Sequence, residues 1–241
     1  MYKIATLNDY HIPFHDKKAM RVAQNFLEEI EPRTIILHEW SDFYAISRFD
    51  KDPRRKLEFQ KELDETQREL WALRKRFPDT ELIMVDSNHQ DRMKKFLQSK
   101  APELDSLRCL SIEHLLGLDG MKIRSAPHYI HKRVLFKHGN IVRADSSYTA
   151  KAEFAREGMS GCSGHTHRLG MHFKTLRGGS YCWVEAGCLC KTKNIEYIDG
   201  VANWNQGLAV FFFEEGSSRF DPKVFPIIDY GIVWGNKIIG D

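Results

Sequence analysis

Short blocks in which nearly every residue is apolar alternate along the chain with longer blocks in which apolar residues return every three or four positions. Lys3 to Leu7 reads as a short strand, and Met20, Ala23, Phe26, Leu27 and Ile30 mark a helix over Lys17 to Glu29. Thr34 to Leu37 (TIIL) is short and β-branched, the pattern of a strand buried on both faces. Pro53 opens a long helical stretch to Phe77, with Leu63, Leu70 and Phe77 on one stripe. Glu81 to Val85 (ELIMV) predicts a third strand, and a basic helix follows from about Gln90. This alternation favours parallel strands joined by right-handed crossovers.

The second half changes character. Arg133 to Lys137 predicts a strand ending at His138, and Ser147 to Glu157 a helix. Tyr181 to Glu185, Leu208 to Glu214 and Val224 to Ile228 predict strands with little helix between them. They are expected to form a second sheet with hairpin connections, packed on the first. No internal repeat and no Gly-, Pro- or Ser-rich linker interrupts the chain, so one domain over 1–241 is expected, with a helical insertion or cap around 43–77.

Composition removes some classes of function. The longest fully apolar run, Leu208 to Phe213, is far short of the roughly 20 residues a membrane-spanning helix needs. Met1 to Leu7 lacks the basic and apolar regions of a signal peptide, so a cytoplasmic protein with no membrane partner is expected. Thirty-six basic and 33 acidic residues leave a net charge of +3, too small to identify a polyanion partner by itself. The basic residues cluster, however, at 51–56, 74–76 and 92–95. Five cysteines with no CxxC pair argue for reduced thiols. Cys182, Cys188 and Cys190 lie close enough in sequence for a zinc site, although no paired knuckle is present.

The polar residues that carry chemistry sit just after predicted strands, where open α/β sheets form their ligand crevice. Asp9, His11, Glu39, Asn88, His138, His165 and His167 are seven oxygen or imidazole donors of this kind. Mixed carboxylate and imidazole ligands suit Mn, Fe or Zn, and seven donors are too many for one tetrahedral ion. A carboxylate shared between two ions accounts for the number.

Taken in order, these elements resemble the calcineurin-like metallophosphoesterase superfamily, whose pattern is DxH, GDxxD, GNH followed by an acid, H, and GHxH. Here they read Asp9-Tyr10-His11, His38-Glu39-Trp40-Ser41-Asp42, Ser87-Asn88-His89-Gln90, His138 and Gly164-His165-Thr166-His167. The resemblance covers about Lys3 to Glu214 and is strongest to phage-encoded and bacterial members. It implies an α/β fold, a four-layer α/β/β/α sandwich of two mixed sheets flanked by helices. It further implies two divalent ions, Mn²⁺ foremost, with Fe, Zn or Ni as alternatives. Asp9, His11 and His167 would hold one ion, Asn88, His138 and His165 the other, and Glu39 would bridge them. His89 would face the scissile phosphate as a catalytic imidazolium, with Asp42 fixing its tautomer.

Two positions depart from the pattern. His38-Glu39 replaces the Gly-Asp pair, and Ser87 and Gln90 flank the Asn-His pair. The implied activity is hydrolysis of a phosphoester substrate. A phosphodiesterase or nuclease acting on DNA or RNA comes first, because Arg48, Lys51, Arg54 and Arg55 follow Asp42 closely and Tyr44, Phe49 and Trp71 offer stacking surfaces. A phosphomonoesterase acting on phosphoproteins or nucleotides is the alternative, disfavoured by Phe43-Tyr44 where the protein-phosphatase branch carries Arg. A metal-poor binding protein on the same scaffold is the third.

Overall fold

The structure is a computed structural model that describes residues 1–51, 58–193 and 201–241. The first half forms β1 (Tyr2–Leu7), α1 (Lys17–Ile30), β2 (Thr34–His38), α2 (Phe59–Arg76), β3 (Glu81–Val85), α3 (Asp91–Lys100), α4 (Ile112–Leu116) and β4 (Ile123–Ala126). Strands β1 to β4 pair in parallel in that order. Alternate residues feed two different cores. Ala5, Leu7, Ile35, Leu37, Leu82 and Met84 pack with Phe26, Leu27, Leu63 and Leu70 of the helices. Ile4, Ile36, Ile83 and Val85 point the other way, into a second core. Burial on both faces explains why these strands read as unbroken apolar runs.

That second core is the space between two sheets. The other sheet contains β5 (Tyr129–His131), β6 (Val134–Lys137), β7 (Ser160–Ser163), β8 (Leu169–Leu176) and β9 (Gly179–Ala186), in the order β5-β6-β7-β9-β8. Val134, Phe136, Cys182 and Val184 face the first sheet. Leu135 and Trp183 face outward, where α5 (Tyr148–Glu157) covers them with Ala150 and Phe154. The layers are therefore helix, sheet, sheet, helix, as expected, and both sheets are mixed.

Sheet membership differs from expectation at two strands. Two of the strands expected in the second sheet, β10 (Gly207–Phe213) and β11 (Phe220–Pro226), join the first. β10 pairs antiparallel with β1, Ala5 opposite Val210, and fills the edge that the parallel crossovers leave open. β9 stays in the second sheet as expected, forming a hairpin with β8 on one side and pairing in parallel with β7 on the other. The 43–77 stretch is the β2–β3 crossover itself: Leu63, Leu70, Leu73 and Phe77 are buried in the main core, so α2 is a layer of the sandwich. Its expected start at Pro53 lies outside the described residues. A last hairpin, β12 (Gly231–Trp234) with β13 (Lys237–Gly240), packs on α1. No helix among the described residues is long and apolar enough to cross a membrane.

Candidate metal centre

Five parallel-running strands, β1, β2 and β3 in one sheet and β6 and β7 in the other, end at the same edge of the sandwich. Asp9 and His11 follow β1, Glu39 follows β2, Asn88 and His89 follow β3, His138 follows β6, and His165 and His167 follow β7. The backbone there is strained. Asp9, His11, Glu39, His165 and His167 all have φ between 45° and 71°, in the left-handed region that non-glycine residues avoid. Such strain persists only where surrounding contacts over-determine it, and it concentrates at functional sites. The contacts are visible: Asp9 N–H donates to His38 O at 3.0 Å, Tyr10 N–H to Glu39 O at 3.0 Å and Ile12 N–H to Trp40 O at 2.8 Å. Gly164 is required by proximity, since a Cβ there would lie 2.7 Å from Asp9 Oδ2. Its absence lets the His165 N–H reach the Asp9 carboxylate at 3.1 Å.

All seven sequence-predicted donors come together. Asp9, His11 and His167 form one trio whose donor atoms lie within 4.8 Å of one another, and Glu39, His138 and His165 form another. His11 Nε2 faces His167 Nε2 at 2.9 Å. Glu39 Oε2 lies 2.8 Å from His138 Nε2 and 3.7 Å from His11 Nε2, so one oxygen addresses imidazoles of both trios. Asn88 Oδ1 is 2.8 Å from His138 Nε2. His138 Nδ1 is buried and has no hydrogen-bond partner among the described residues.

His89 and Asp42 also meet, Nδ1 to Oδ2 at 3.2 Å, but Asp42 serves His11 as well, with Nδ1 of that ring 3.0 Å from the same oxygen. The sequence reading missed Arg92. Its guanidinium donates to Asp42 Oδ1 at 2.8 Å, to Asp42 O at 2.6 Å and to His89 Nε2 at 2.6 Å. A guanidinium has no acceptor, so His89 Nε2 must present its lone pair and the ring is neutral. The signal lay in spacing, since Arg92 stands three residues after His89, one helical turn along.

Three buried carboxylates outside the cluster hold its loops, and of these only Glu185 falls in a segment, Glu185-Ala-Gly-Cys-Leu, that resembles the superfamily's closing loop. Glu185 accepts from Thr166 Oγ1 at 2.8 Å and from Ala150 N–H at 3.3 Å, tying the His165–His167 loop to α5. Glu153 pairs with Lys137 at 2.7 Å, beside His138. Glu62, on α2, accepts from Ser41 Oγ at 2.6 Å and from the Phe43 N–H, fixing the loop that carries Asp42.

The electrostatics follow from burial opposed by neighbours. Burial pushes Asp9 up to about 7 despite the adjacent His138. Burial acts the same way on Glu39, but His138, His89 and His11 outweigh it and hold this carboxyl well below its usual range. Asp42 is likewise lowered by its hydrogen bonds from His11 and His89, against burial. Burial holds His167 well below the histidine range and brings His165 to about 4, so both are neutral imidazoles with a lone pair to offer. Burial also lowers His89, which agrees with the proton placement set by Arg92. His38, fully buried between the sheets, is pushed down to about 3 by burial and the nearby His138, and neither of its nitrogens has a partner among the described residues.

Glu62 yields a pH prediction. Burial raises its carboxyl from 4.5 to about 7. The native state therefore binds this proton more tightly than the unfolded chain does. The resulting stability is fully present below about pH 4.5 and is lost as pH rises through about 7, a swing of about 3 kcal/mol. Glu62→Gln, which keeps an acceptor but cannot ionise, is expected to flatten this slope. Urea midpoints at pH 5 and pH 8 measure it, and an unchanged slope would contradict the assignment.

The expected substrate-binding residues fare unevenly. Arg48 is exposed, its guanidinium 5.6 Å from the Phe49 ring centroid. Lys51 turns inward instead, donating to Ser47 O at 2.7 Å, Phe49 O at 2.8 Å and the Ser47 hydroxyl, so it braces its own loop. Arg54 and Arg55 lie outside the described residues. The 74–76 run is not beside the site. Because α2 returns the chain to the start of β3, its last turn lies at the opposite sheet edge, where Arg74 donates to Met121 O, Phe77 O and Thr80 O. Trp71 lies toward that edge too, near Gly120.

Fold and site together define an α/β/β/α sandwich with a buried histidine–carboxylate cluster at one sheet edge. The donor set fits divalent cations: imidazoles held neutral at His165 and His167, one carboxylate per trio, and a buried His138 ring nitrogen with no hydrogen-bond partner among the described residues, while the neighbouring carboxylates raise His11, to about 9, and His138 against burial, so that a metal would have to displace their protons. No known family model matches the chain. The Gene 54 proteins of Mycobacterium phage L5 and of Mycobacterium phage D29 are each 27% identical to it over 245 residues, covering 94% of both chains. Among solved structures, wild-type Vps29 from Entamoeba histolytica complexed with zinc is 13% identical, with a TM-score of 0.48 and 99% of each chain covered. Vps29 from Chaetomium thermophilum is 12% identical, with a TM-score of 0.44, covering 95% of this chain and 87% of its own.

Proposed function

We propose that this chain is a metal-dependent phosphoesterase of the calcineurin-like kind and that it cleaves phosphodiester bonds in nucleic acid. The observation that carries the reading is the meeting of two histidine–carboxylate trios at Glu39 Oε2. Asp9, His11 and His167 would hold one divalent ion, Asn88, His138 and His165 the other, and Glu39 both, with Mn²⁺ the first candidate. Bound there, the ions supply Lewis acidity to a phosphate and a water of lowered pKa.

The chain's own residues supply the rest. Asp42 orients His11 from behind, as carboxylates do for ligating imidazoles. Arg92 stands at the mouth of the cluster, where a phosphate oxygen can compete with His89 for its guanidinium. A bound phosphate also brings the negative charge that raises the His89 pKa, so the ring becomes able to pass a proton to the leaving oxygen. Phe49 is 60% exposed, and the guanidinium groups of Arg48 and Arg92 lie 5.6 and 5.8 Å from its ring centroid. A solvent-facing ring near two cations suits a nucleobase and its phosphate better than a phosphoprotein side chain.

The test is made on Mn²⁺-loaded protein. Hydrolysis of bis-p-nitrophenyl phosphate over p-nitrophenyl phosphate is expected, and the reverse preference would favour a phosphomonoesterase. Asp9→Ala and His165→Ala are each expected to lower metal content and activity together. Full metal stoichiometry in both variants would overturn the ligand assignment, and metal-free wild-type protein would favour a binding role. Arg48→Glu is expected to raise KM for a polynucleotide and to reduce its log–log salt slope by about one phosphate contact, leaving the small ester unaffected. Equal effects on both substrates would remove Arg48 from the substrate path.

A further inference from the structure

Behind the proposed centre, on the far side of His167, lie two thiols that the hydrolytic reading does not use. Cys188 and Cys190 follow β9, and with His167 they form a third group whose donor atoms all lie within 4.8 Å of one another. All three residues are buried, and both cysteines are free thiols. Cys190 Sγ is 3.7 Å from His167 Nδ1. A tetrahedral zinc ion with bonds of about 2.05 Å to nitrogen and about 2.3 Å to sulfur places those two atoms about 3.6 Å apart. The observed separation fits two ligands on one ion and, without an ion, it is that of a thiol–imidazole hydrogen bond.

The segment is held in this shape by its backbone. Cys188 N–H donates to Asn205 O at 3.1 Å and Gly207 N–H to Cys188 O at 3.1 Å. Leu189 N–H donates to Asp9 O at 3.2 Å, and Gln206 Nε2 to Cys190 O at 2.9 Å. Both thiols thus emerge from fixed positions two residues apart, on the same side of an extended strand. Trp204 packs against the His167 ring at 4.0 Å, closing the group from outside. Cys182, grouped with these two by sequence proximity, is instead buried between the sheets. The imidazole takes its place as the third ligand.

We propose that Cys188, Cys190 and His167 Nδ1 form a second metal site, selective for zinc. Two thiolates and an imidazole favour zinc over the harder Mn²⁺ or Mg²⁺. Binding releases the two thiol protons to solvent. The site uses the opposite nitrogen of His167 from the one that faces His11, so its two thiol ligands are independent of the carboxylate cluster and only the ring is shared. The two uses of the ring compete. A neutral imidazole ligated through Nδ1 keeps its proton on Nε2, where it points at His11 Nε2, 2.9 Å away. Zinc on the thiols therefore withdraws His167 from the Asp9–His11 trio.

X-ray absorption at the zinc edge, on the full chain loaded with one equivalent of Zn²⁺, is expected to show a sulfur shell at about 2.3 Å. Co²⁺ in place of zinc is expected to give an intense sulfur-to-cobalt charge-transfer band in the near ultraviolet. Cys188→Ser and Cys190→Ser should each remove that band and weaken zinc binding about tenfold or more. A zinc shell of nitrogen and oxygen alone in the wild-type protein overturns the proposal, and that measurement decides even if a serine variant fails to fold. A cobalt spectrum with ligand-field bands but no sulfur band also overturns it, while leaving the phosphoesterase reading intact. A sulfur band in a protein without hydrolytic activity does the reverse.

Discussion

Glu39→Ala and Glu39→Asp are both expected to leave the protein with one bound divalent ion in place of two and to lower kcat by about 10²–10³-fold. The geometry makes the shorter acid nearly as harmful as alanine. Glu39 Oε2 lies 2.8 Å from His138 Nε2 and 3.7 Å from His11 Nε2, one carboxylate oxygen serving two rings. Removing one methylene draws the carboxylate back by about 1.5 Å, out of range of both rings. Negative charge is kept in Glu39→Asp, so equal losses in the two variants point to position rather than charge. The Asp9, His11 and His167 trio does not include Glu39, which is why one ion should remain. The backbone contacts of residue 39, its carbonyl accepting from Tyr10 and His11 N–H, survive either change. Metal analysis after Mn²⁺ loading and desalting, beside single-turnover rates, measures both effects. Two ions retained in Glu39→Ala would show that this oxygen bridges nothing.

The site was far more legible in the sequence than the sheet order was. Asp9, His11, Asn88 and His138 each follow a block whose apolar pattern marks a strand, and strand ends converge by construction in a parallel sheet, whereas His165 and His167 follow the short Ser160–Ser163 strand and stood out by their Gly-His-Thr-His motif. The placement of β10 was not local information. Its alternate residues Phe211 and Phe213 feed the core between the sheets, and a strand in either sheet can do that. Only pairing with β1, some two hundred residues earlier, decides the matter. β8 escaped notice because it is an edge strand whose outer half is exposed, so neither a buried run nor a clean alternation marks it. Glu62 and Glu153 were invisible for a related reason. A lone acid on a helix or strand reads as a solvated position, and its burial depends on donors brought to it by other elements. Arg92 sat within a basic run, and charge alone did not separate it from Lys94 and Lys95, which point to solvent.

His89→Ala is expected to retain its metal and to lose about 10²–10⁴ in kcat on an unactivated phosphodiester, the range for a positioned proton donor. The same variant should turn over a nitrophenyl ester nearly as fast as the wild type, because that leaving group needs no proton. Asp42→Asn is a poorer probe than the sequence suggested. Its Oδ2 serves His11 and His89 together, so the change is expected to weaken metal binding by about 10–100-fold as well as to slow proton transfer. Arg92→Gln separates the two effects. It removes the charge that keeps His89 neutral and leaves the Asp42–His11 contact in place. With no guanidinium on Nε2, the ring takes up a proton more readily, so the alkaline limb of the kcat profile should move to higher pH while KM for the diester rises. A His89→Ala variant with full turnover on the unactivated diester, or an Arg92→Gln profile that does not move, would leave His89 as a support of the metal centre and nothing more.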